Sequence, residues 1–249
     1  MNDLIIQKLR QTEHEQQVIV LHAVESGSRA WGFASPDSDF DIRFIYKHPT
    51  DHYLNLWDKP DVIEFMTSED LDGSGWDLAK TLKLLAKSNG SLLEWLFSKD
   101  VYLQNDVFLN QMQFLAKECF SPVATAHHYL STSLNFVEAC QQENVKLKSY
   151  FYALRAALAA KWIVVYNEIP PVAFAELLPL APAAIQKRIT QLLEVKMEQN
   201  EMYLHPKDVR VSDYLTTLIQ YNKEHAPKLR AGKNMHAALE AFFVEEVKK

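Results

Sequence analysis

The chain has 249 residues, of which 48% are hydrophobic, and its formal net charge at pH 7 is −6. This length suits one large domain or two modest ones, and the apolar content can supply a real core. The negative net charge argues against broad, non-specific nucleic-acid binding, although it leaves room for a local basic groove.

The chain has few features of a secreted or membrane protein. Its two cysteines, Cys119 and Cys140, have no metal-ligand spacing and suggest no disulfide framework, which predicts a reducing cytoplasm. Residues 1–17 contain acids and no long apolar core, so we do not expect a signal peptide. We expect no membrane span either, because no apolar run reaches about 18 residues.

The predicted elements begin with a helix over residues 2–15 and a strand over residues 17–24. A turn at Gly27 and Ser28 follows, and then a short helix over residues 28–33 with Ser28 as its N-cap. Gly27 permits unusual dihedral angles and lets a ligand approach the backbone closely. Backbone N–H groups in such a turn, with the Ser28 hydroxyl, form a site suited to phosphate.

A strand with two carboxylates is predicted next, over residues 39–47. Its apolar residues alternate and share one face: Phe40, Ile42, Phe44 and Tyr46. Asp39 and Asp41 are two positions apart, so both side chains project from the opposite face. Carboxylates about 7 Å apart repel each other unless a cation lies between them. The pattern therefore predicts a divalent metal or a pair of metals.

The remaining elements divide the chain in two. A strand is predicted over residues 61–67, a helix over residues 77–88 that Asn89 and Gly90 end, and a helix over residues 91–97. After about residue 104 the pattern is almost wholly helical, with predicted helices over 106–118, 122–142, 145–166, 171–178, 182–198, 208–224 and 233–247. We therefore predict an α+β protein. Residues 1–103 would hold a small mixed sheet flanked by helices, and residues 104–249 an all-helical domain.

Gly27, Ser28, Asp39 and Asp41 together form a Gly-Ser, spacer, Asp-x-Asp pattern. The longer run GSRAWGFASPDSDFDIRFIY resembles nucleotidyltransferases of the polymerase-beta type, and in particular a bacterial group associated with RNA-repair gene clusters. Residues 75–96 and 146–163 resemble the same group. The resemblance implies a magnesium- or manganese-dependent enzyme with a two-metal mechanism. Such an enzyme transfers a nucleoside monophosphate from ATP or another NTP to a hydroxyl or phosphate acceptor and releases pyrophosphate.

The resemblance also implies a third carboxylate beside Asp39 and Asp41 that binds metal and takes part in catalysis. We favour Asp72, which precedes a Gly-Ser-Gly run and could end a strand. Asp77 is the alternative, although its place before a helix equally suits an N-cap. Glu64, in the short apolar run VIEF, is a third candidate, and we interpret it as a polar residue on an ordinary strand face.

Several basic and aromatic residues are predicted to contact the nucleotide. Arg29 and Arg43 lie near the motif, although an ion pair with a nearby acid is an equal alternative for Arg43. Lys80 matches a lysine of the resembling group. Lys148, Tyr152 and Arg155 are spaced to share one helix face and could reach a triphosphate, and the alternative is a core Tyr152 with solvated basic residues.

Two other functions compete with catalytic nucleotide transfer. One is a catalytically inactive nucleotide-binding module with a regulatory or antitoxin-like role, which a missing third carboxylate would favour. The other is a metal-dependent phosphohydrolase, which histidines around the metals would favour. For the transferase, the sequence alone leaves RNA, a small molecule or a protein open as the acceptor, and family analogy favours nucleic acid.

Overall fold

The computed structural model describes residues 1–57, 59–67 and 70–249. These residues form two compact units. The first unit comprises residues 1–30, 39–119 and 233–249, and the second comprises residues 31–38 and 120–232. These units are defined by contacts between residues and do not test the predicted domain boundary between residues 103 and 104. That boundary stays a prediction.

The secondary structure of the described residues follows the chain in this order. The strands are β1 (Ile19–Glu25), β2 (Phe40–Lys47), β3 (Val62–Met66), β4 (Leu71–Asp77), β5 (Val101–Gln104), β6 (Asn144–Lys146) and β7 (Leu204–Pro206). The helices are α1 (Asn2–Gln16), α2 (Gly27–Ala30), α3 (Thr50–Tyr53), α4 (Leu78–Ala86), α5 (Gly90–Phe97), α6 (Asp106–Cys119), α7 (Pro122–Val137), α8 (Leu147–Tyr166), α9 (Phe174–Leu177), α10 (Ala183–Glu198), α11 (Val209–His225) and α12 (His236–Lys248). Short 3-10 helices cover Ala139–Gln141, Leu178–Leu180 and Ala226–Lys228.

The sheet of the first unit has five strands in the order β3-β4-β2-β1-β5. β2 and β4 run parallel, whereas the other neighbouring strands run antiparallel. This mixed sheet with its helices confirms the predicted α+β class. In the parallel pair, Asp41 of β2 and Asp72 of β4 are register partners. Strand pairing therefore brings together two carboxylates that are far apart in the sequence.

One face of β2 builds the core of the first unit. Ile42, Phe44 and Tyr46 are fully buried in a cluster that includes Ile5 and Leu9 of α1. Alternate residues of a strand share a face, so the predicted apolar face of β2 is confirmed. Each fully buried side chain of this size contributes about 1.5–3 kcal/mol through the hydrophobic effect. This burial fixes which residues of β2 point away from the core.

The glycines of β4 make room for aromatic rings. A Cβ on Gly73 would lie 2.1 Å from Cζ of Phe65, and a Cβ on Gly75 would lie 2.1 Å from Cε2 of Phe44. The Gly-Ser-Gly run is therefore a packing surface inside a strand. The expectation that Asp72 ends a strand is wrong, because β4 begins at Leu71 and continues to Asp77.

The second unit is built around α8. Many of its residues are buried, including Ala153 and Ala157, whose small side chains let neighbouring helices approach closely. Ser133 of α7 donates its hydroxyl to the Ala153 carbonyl at 3.0 Å, and Asn222 of α11 donates its amide to the Ala157 carbonyl at 2.8 Å. The Ser133 hydroxyl and the Asn222 amide nitrogen are therefore satisfied by the α8 backbone.

Several short elements are not predicted from the sequence. They are α3, β5 and the antiparallel pair of β6 and β7, so the mostly helical second half also contains two three-residue strands. Segments this short show no clear hydrophobic period. Among the described residues, no helix is both long enough and apolar enough to cross a bilayer.

Candidate functional site

The Gly27 turn and the acidic strand lie directly against each other. Ser26 donates its backbone N–H to the Asp41 carbonyl at 2.8 Å. A Cβ on residue 27 would lie 1.9 Å from Oδ2 of Asp41, and Gly27 has a φ of +60°. Both the space and the dihedral angle therefore require glycine here. The structure thus brings together the turn and the second aspartate of the motif.

Asp41 and Asp72 converge on the guanidinium of Arg43. Nη2 of Arg43 lies 2.8 Å from Oδ1 of Asp41 and 3.2 Å from Oδ2 of Asp72. All three side chains are partly exposed. Arg43 thus forms the ion pair that the sequence analysis gives as one of its two alternatives, and it does so with two acids.

Asp39 lies one residue before β2 and is exposed. Its carbonyl accepts a hydrogen bond from Nε of Arg29 at 3.0 Å. The Arg29 guanidinium also lies over the Phe40 ring, 3.8 Å from its centroid. Arg29 therefore fixes the chain where it enters β2, through a hydrogen bond and a cation–π contact.

Ser28 is the second residue of α2 and is buried, with 3% of its surface exposed. The helix begins one residue earlier than predicted, at Gly27, and it ends at Ala30. Ser28 therefore lies inside this short helix and does not precede it as an N-cap. Its predicted contact with phosphate stays a prediction.

Glu25 is a buried acid that supports Asp41 and that the sequence analysis misses. Glu25 is 4% exposed. Its Oε1 accepts a hydrogen bond from the backbone N–H of Asp41 at 2.8 Å, and its Oε2 accepts one from the hydroxyl of Tyr102. Burial raises the pKa of Glu25, and its hydrogen bonds to Tyr102 and Asp41 oppose that shift. One sequence feature could have indicated its role: Glu25 is a charged residue at the end of an apolar strand, just before the Gly-Ser turn.

Asp77 and Lys80 lie at the other end of β4. Asp77 is five residues beyond Asp72, a distance of about 16 Å along a strand. Its Oδ1 accepts the N–H of Ala79 at 2.8 Å and its Oδ2 accepts the Tyr53 hydroxyl at 2.8 Å. The predicted N-cap role of Asp77 is thereby confirmed, and the structure does not bring Asp77 to Asp41. Lys80 forms an ion pair with Asp61 at 2.9 Å in the same region.

Lys148, Tyr152 and Arg155 belong to α8 of the second unit. Lys148 pairs with Glu201 at 2.6 Å. Tyr152 packs edge-on against Trp31, with ring centroids 5.0 Å apart. Arg155 is 3% exposed and donates to the Val172 carbonyl from Nε at 3.2 Å and from Nη2 at 3.1 Å. Their contact with a nucleotide stays a prediction.

The donors around Asp41 are of the type that a divalent cation needs. Mg²⁺ prefers oxygen ligands and is usually held by one or two carboxylates together with substrate phosphates and water. Asp41 and Asp72 supply two converging carboxylates, and Arg43 already stands between them as a cation. Within residues 1–57, 59–67 and 70–249 no three His, Cys, Asp or Glu side chains cluster closely enough to form a metal site by themselves. The two carboxylates therefore fit a metal that shares its remaining ligands with a substrate.

Comparison with known proteins places this chain in a family. Residues 1–245 match RlaP, described as the RNA repair pathway DNA polymerase beta family. The chain is 39% identical over 236 residues to the uncharacterized protein YcgL of Bacillus subtilis (strain 168), covering 94% of this chain and 91% of that protein. The crystal structure of a nucleotidyltransferase-like protein from Exiguobacterium sibiricum 255-15 aligns with a TM-score of 0.32 and 11% identity, covering 90% of this chain and 75% of that one. The resemblance read from the Gly-Ser and Asp-x-Asp residues is thus confirmed, and the chain belongs to the RNA repair pathway DNA polymerase beta family.

Proposed function

We propose that this protein transfers a nucleoside monophosphate from an NTP to a hydroxyl or phosphate acceptor and releases pyrophosphate. One observation supports the proposal above the others. Asp41 and Asp72 are register partners on parallel strands, and their carboxylates approach within 2.8 and 3.2 Å of the same nitrogen of Arg43. Asp41 also lies against Gly27. The turn proposed to bind phosphate therefore lies against one of the acids proposed to bind the metal.

Asp41 and Asp72, with Asp39 two residues before Asp41, are the groups that would hold Mg²⁺ or Mn²⁺. When bound, the metal would neutralise negative charge on the nucleotide phosphates during transfer. Members of the nucleotidyltransferase family generally use an NTP and a divalent metal. Asp72 is the acid that we assign to complete the site, because it is the register partner of Asp41.

The other roles concern binding of the triphosphate. The backbone at Gly27 and the hydroxyl of Ser28 would donate to phosphate oxygens. Arg29 and Arg43 lie in the same unit and supply positive charge near the acids. Lys80, Lys148, Tyr152 and Arg155 are proposed as further nucleotide contacts on the strength of the family resemblance.

RNA is the acceptor that we favour over a small molecule. A cytoplasmic location stays a prediction from cysteine usage.

The test is labelling with NTPs that carry a radioactive α-phosphate, in the presence of Mg²⁺ or Mn²⁺ and with pooled RNA oligonucleotides or small molecules as acceptors. The wild type should transfer label, and the double variant Asp41→Asn/Asp72→Asn should lose it. Asp3→Asn/Asp213→Asn is the control, because it removes the same charge from two exposed acids outside the site. Equal labelling by the two double variants would refute the proposal.

Two further measurements, made beside the labelling assay, separate the proposal from the two alternative functions. A wild-type protein that binds NTP in equilibrium dialysis but transfers no label to any acceptor would favour a nucleotide-binding regulatory or antitoxin-like module. Release of inorganic phosphate without label transfer would favour a phosphohydrolase.

A further inference from the structure

Arg43 is held between the acids by more than its two ion pairs. Nη1 donates to the Asp72 carbonyl at 2.8 Å and to the Ile42 carbonyl at 3.1 Å, and it lies 3.4 Å from Oδ1 of Asp72. Nη2 contacts Oδ1 of Asp41 and Oδ2 of Asp72. The planar fork of the guanidinium thus meets both carboxylates and two backbone oxygens.

This geometry places one internal positive charge between Asp41 and Asp72. Two carboxylates on neighbouring strands repel each other, and a cation between them reduces that repulsion. A divalent metal held by Asp41 and Asp72 would use the carboxylate oxygens that Arg43 now contacts, so the guanidinium and the metal would compete for the same two acids.

Arg43 is also partly open to solvent. Its side chain is 19% exposed, in contrast to the residue Arg155, which is 3% exposed and anchored to the Val172 carbonyl. The side chain of Asp72 is also partly exposed, at 35%. Solvent therefore reaches the guanidinium and Asp72, and phosphate is a strong bidentate partner for arginine.

We propose that Arg43 is a built-in counterion that occupies the metal position while no nucleotide is bound. Divalent metal binds weakly to the free protein because it must displace Arg43 from Asp41 and Asp72. The phosphates of an NTP shift this competition, since they contribute ligands to the metal and a new partner to the released guanidinium. Arg43 thereby makes metal binding depend on nucleotide binding. The inference rests on the proposed function for the nucleotide, whereas the competition itself concerns only Arg43, the two acids and the metal.

The test measures Mn²⁺ binding to the nucleotide-free protein by electron paramagnetic resonance, which detects free Mn²⁺. Arg43→Gln should bind Mn²⁺ about tenfold more tightly than the wild type, a typical size for coupling between competing ligands. Arg10→Gln is the matched control, because it removes the same charge from an exposed arginine of α1 that pairs with Glu13. The triple variant Arg43→Gln/Asp41→Asn/Asp72→Asn should lose the gain.

Two results would overturn the inference: an Arg43→Gln protein that binds Mn²⁺ no more tightly than the wild type, or an equal gain in Arg10→Gln. If Arg43→Gln fails to fold, the arginine Nε–H signals of the ¹⁵N-labelled wild type decide the matter. Saturating Mg²⁺ should shift the Arg43 signal and leave the Arg10 signal in place, and an unmoved Arg43 signal would contradict displacement. None of these readouts uses nucleotide transfer, so absence of labelling would refute the proposed function and leave this inference standing.

Discussion

The carboxylate of Asp41 occupies the space that a side chain on Gly27 would need, because a Cβ on residue 27 would lie 1.9 Å from Oδ2 of Asp41. This contact fixes the distance between the turn of the motif and its second acid. The two halves of the sequence motif, which are separated in the chain, therefore lie against each other in the first unit.

Gly27→Ala should both destabilise the protein and displace Asp41. Overpacking and the positive φ together are expected to cost about 3 kcal/mol. A displacement of the acid by about 1 Å should lower label transfer by about a hundredfold. Urea unfolding and the labelling assay measure the two effects.

Gly32→Ala is the matched control for that variant. Gly32 has a φ of +83°, but a Cβ there would meet nothing within 4 Å. Only the dihedral strain remains, so we expect a cost of about 1 kcal/mol and unchanged transfer. If Gly27→Ala behaved like Gly32→Ala in both assays, the contact between residue 27 and Asp41 would affect neither stability nor label transfer.

Asp72→Ala and Asp77→Ala should separate catalysis from helix capping. Asp72→Ala is expected to lower label transfer at least about a hundredfold, because it removes an acid from the site. Asp77→Ala removes the α4 cap and the partner of the Tyr53 hydroxyl, which should cost about 1 kcal/mol of stability. Transfer per folded molecule should persist in Asp77→Ala, and the reverse pattern would make Asp77 the third carboxylate.

Stability should fall with rising pH through the ionisation of Glu25. Burial raises the pKa of this acid above its ordinary value of 4.5, so the folded state holds the proton more tightly than the unfolded state. The contribution of Glu25 is fully present below pH 4.5 and is lost as the pH rises through the raised pKa. Glu25→Gln should therefore gain stability relative to the wild type across that window in urea unfolding. A constant difference at all pH values would contradict the shift.

The opposite pH dependence is expected from His48 and His52. Their rings are stacked with centroids 3.5 Å apart, and burial lowers the pKa of both, with His52 also lowering the pKa of His48. The unfolded state takes up protons first, so stability is lost as the pH falls from 6.5 through the lowered values. His52→Asn should weaken this dependence in thermal unfolding. It should not abolish it, because buried His22 also has a lowered pKa.

Arg155 offers a test of whether α8 serves the nucleotide or the fold. Arg155→Lys keeps the charge but loses the paired donation to Val172, which should cost about 1–3 kcal/mol of stability in urea unfolding. A purely structural arginine would leave NTP affinity per folded molecule unchanged. A loss of NTP affinity without a loss of stability would support the predicted nucleotide contact.

The sequence by itself determined the parts that depend on neighbours along the chain. Alternation of Phe40, Ile42, Phe44 and Tyr46 sets the buried face of β2, since consecutive side chains of a strand point to opposite faces. The Gly-Ser and Asp-x-Asp spacing was enough to indicate the family. The longer helices were also readable, because their hydrophobic period is local.

The tertiary structure decided everything that depends on pairing between distant segments. The register of β2 with β4 selects Asp72 as the partner of Asp41, and it leaves Asp77 at the far end of β4 as a helix cap. The same packing buries Glu25 against Asp41 and brings Arg43 to both acids. Strand register is fixed by burial of a whole face and not by local spacing, so the sequence alone indicates Asp39, Asp41 and Asp72 as candidate acids without showing that Asp41 and Asp72 meet.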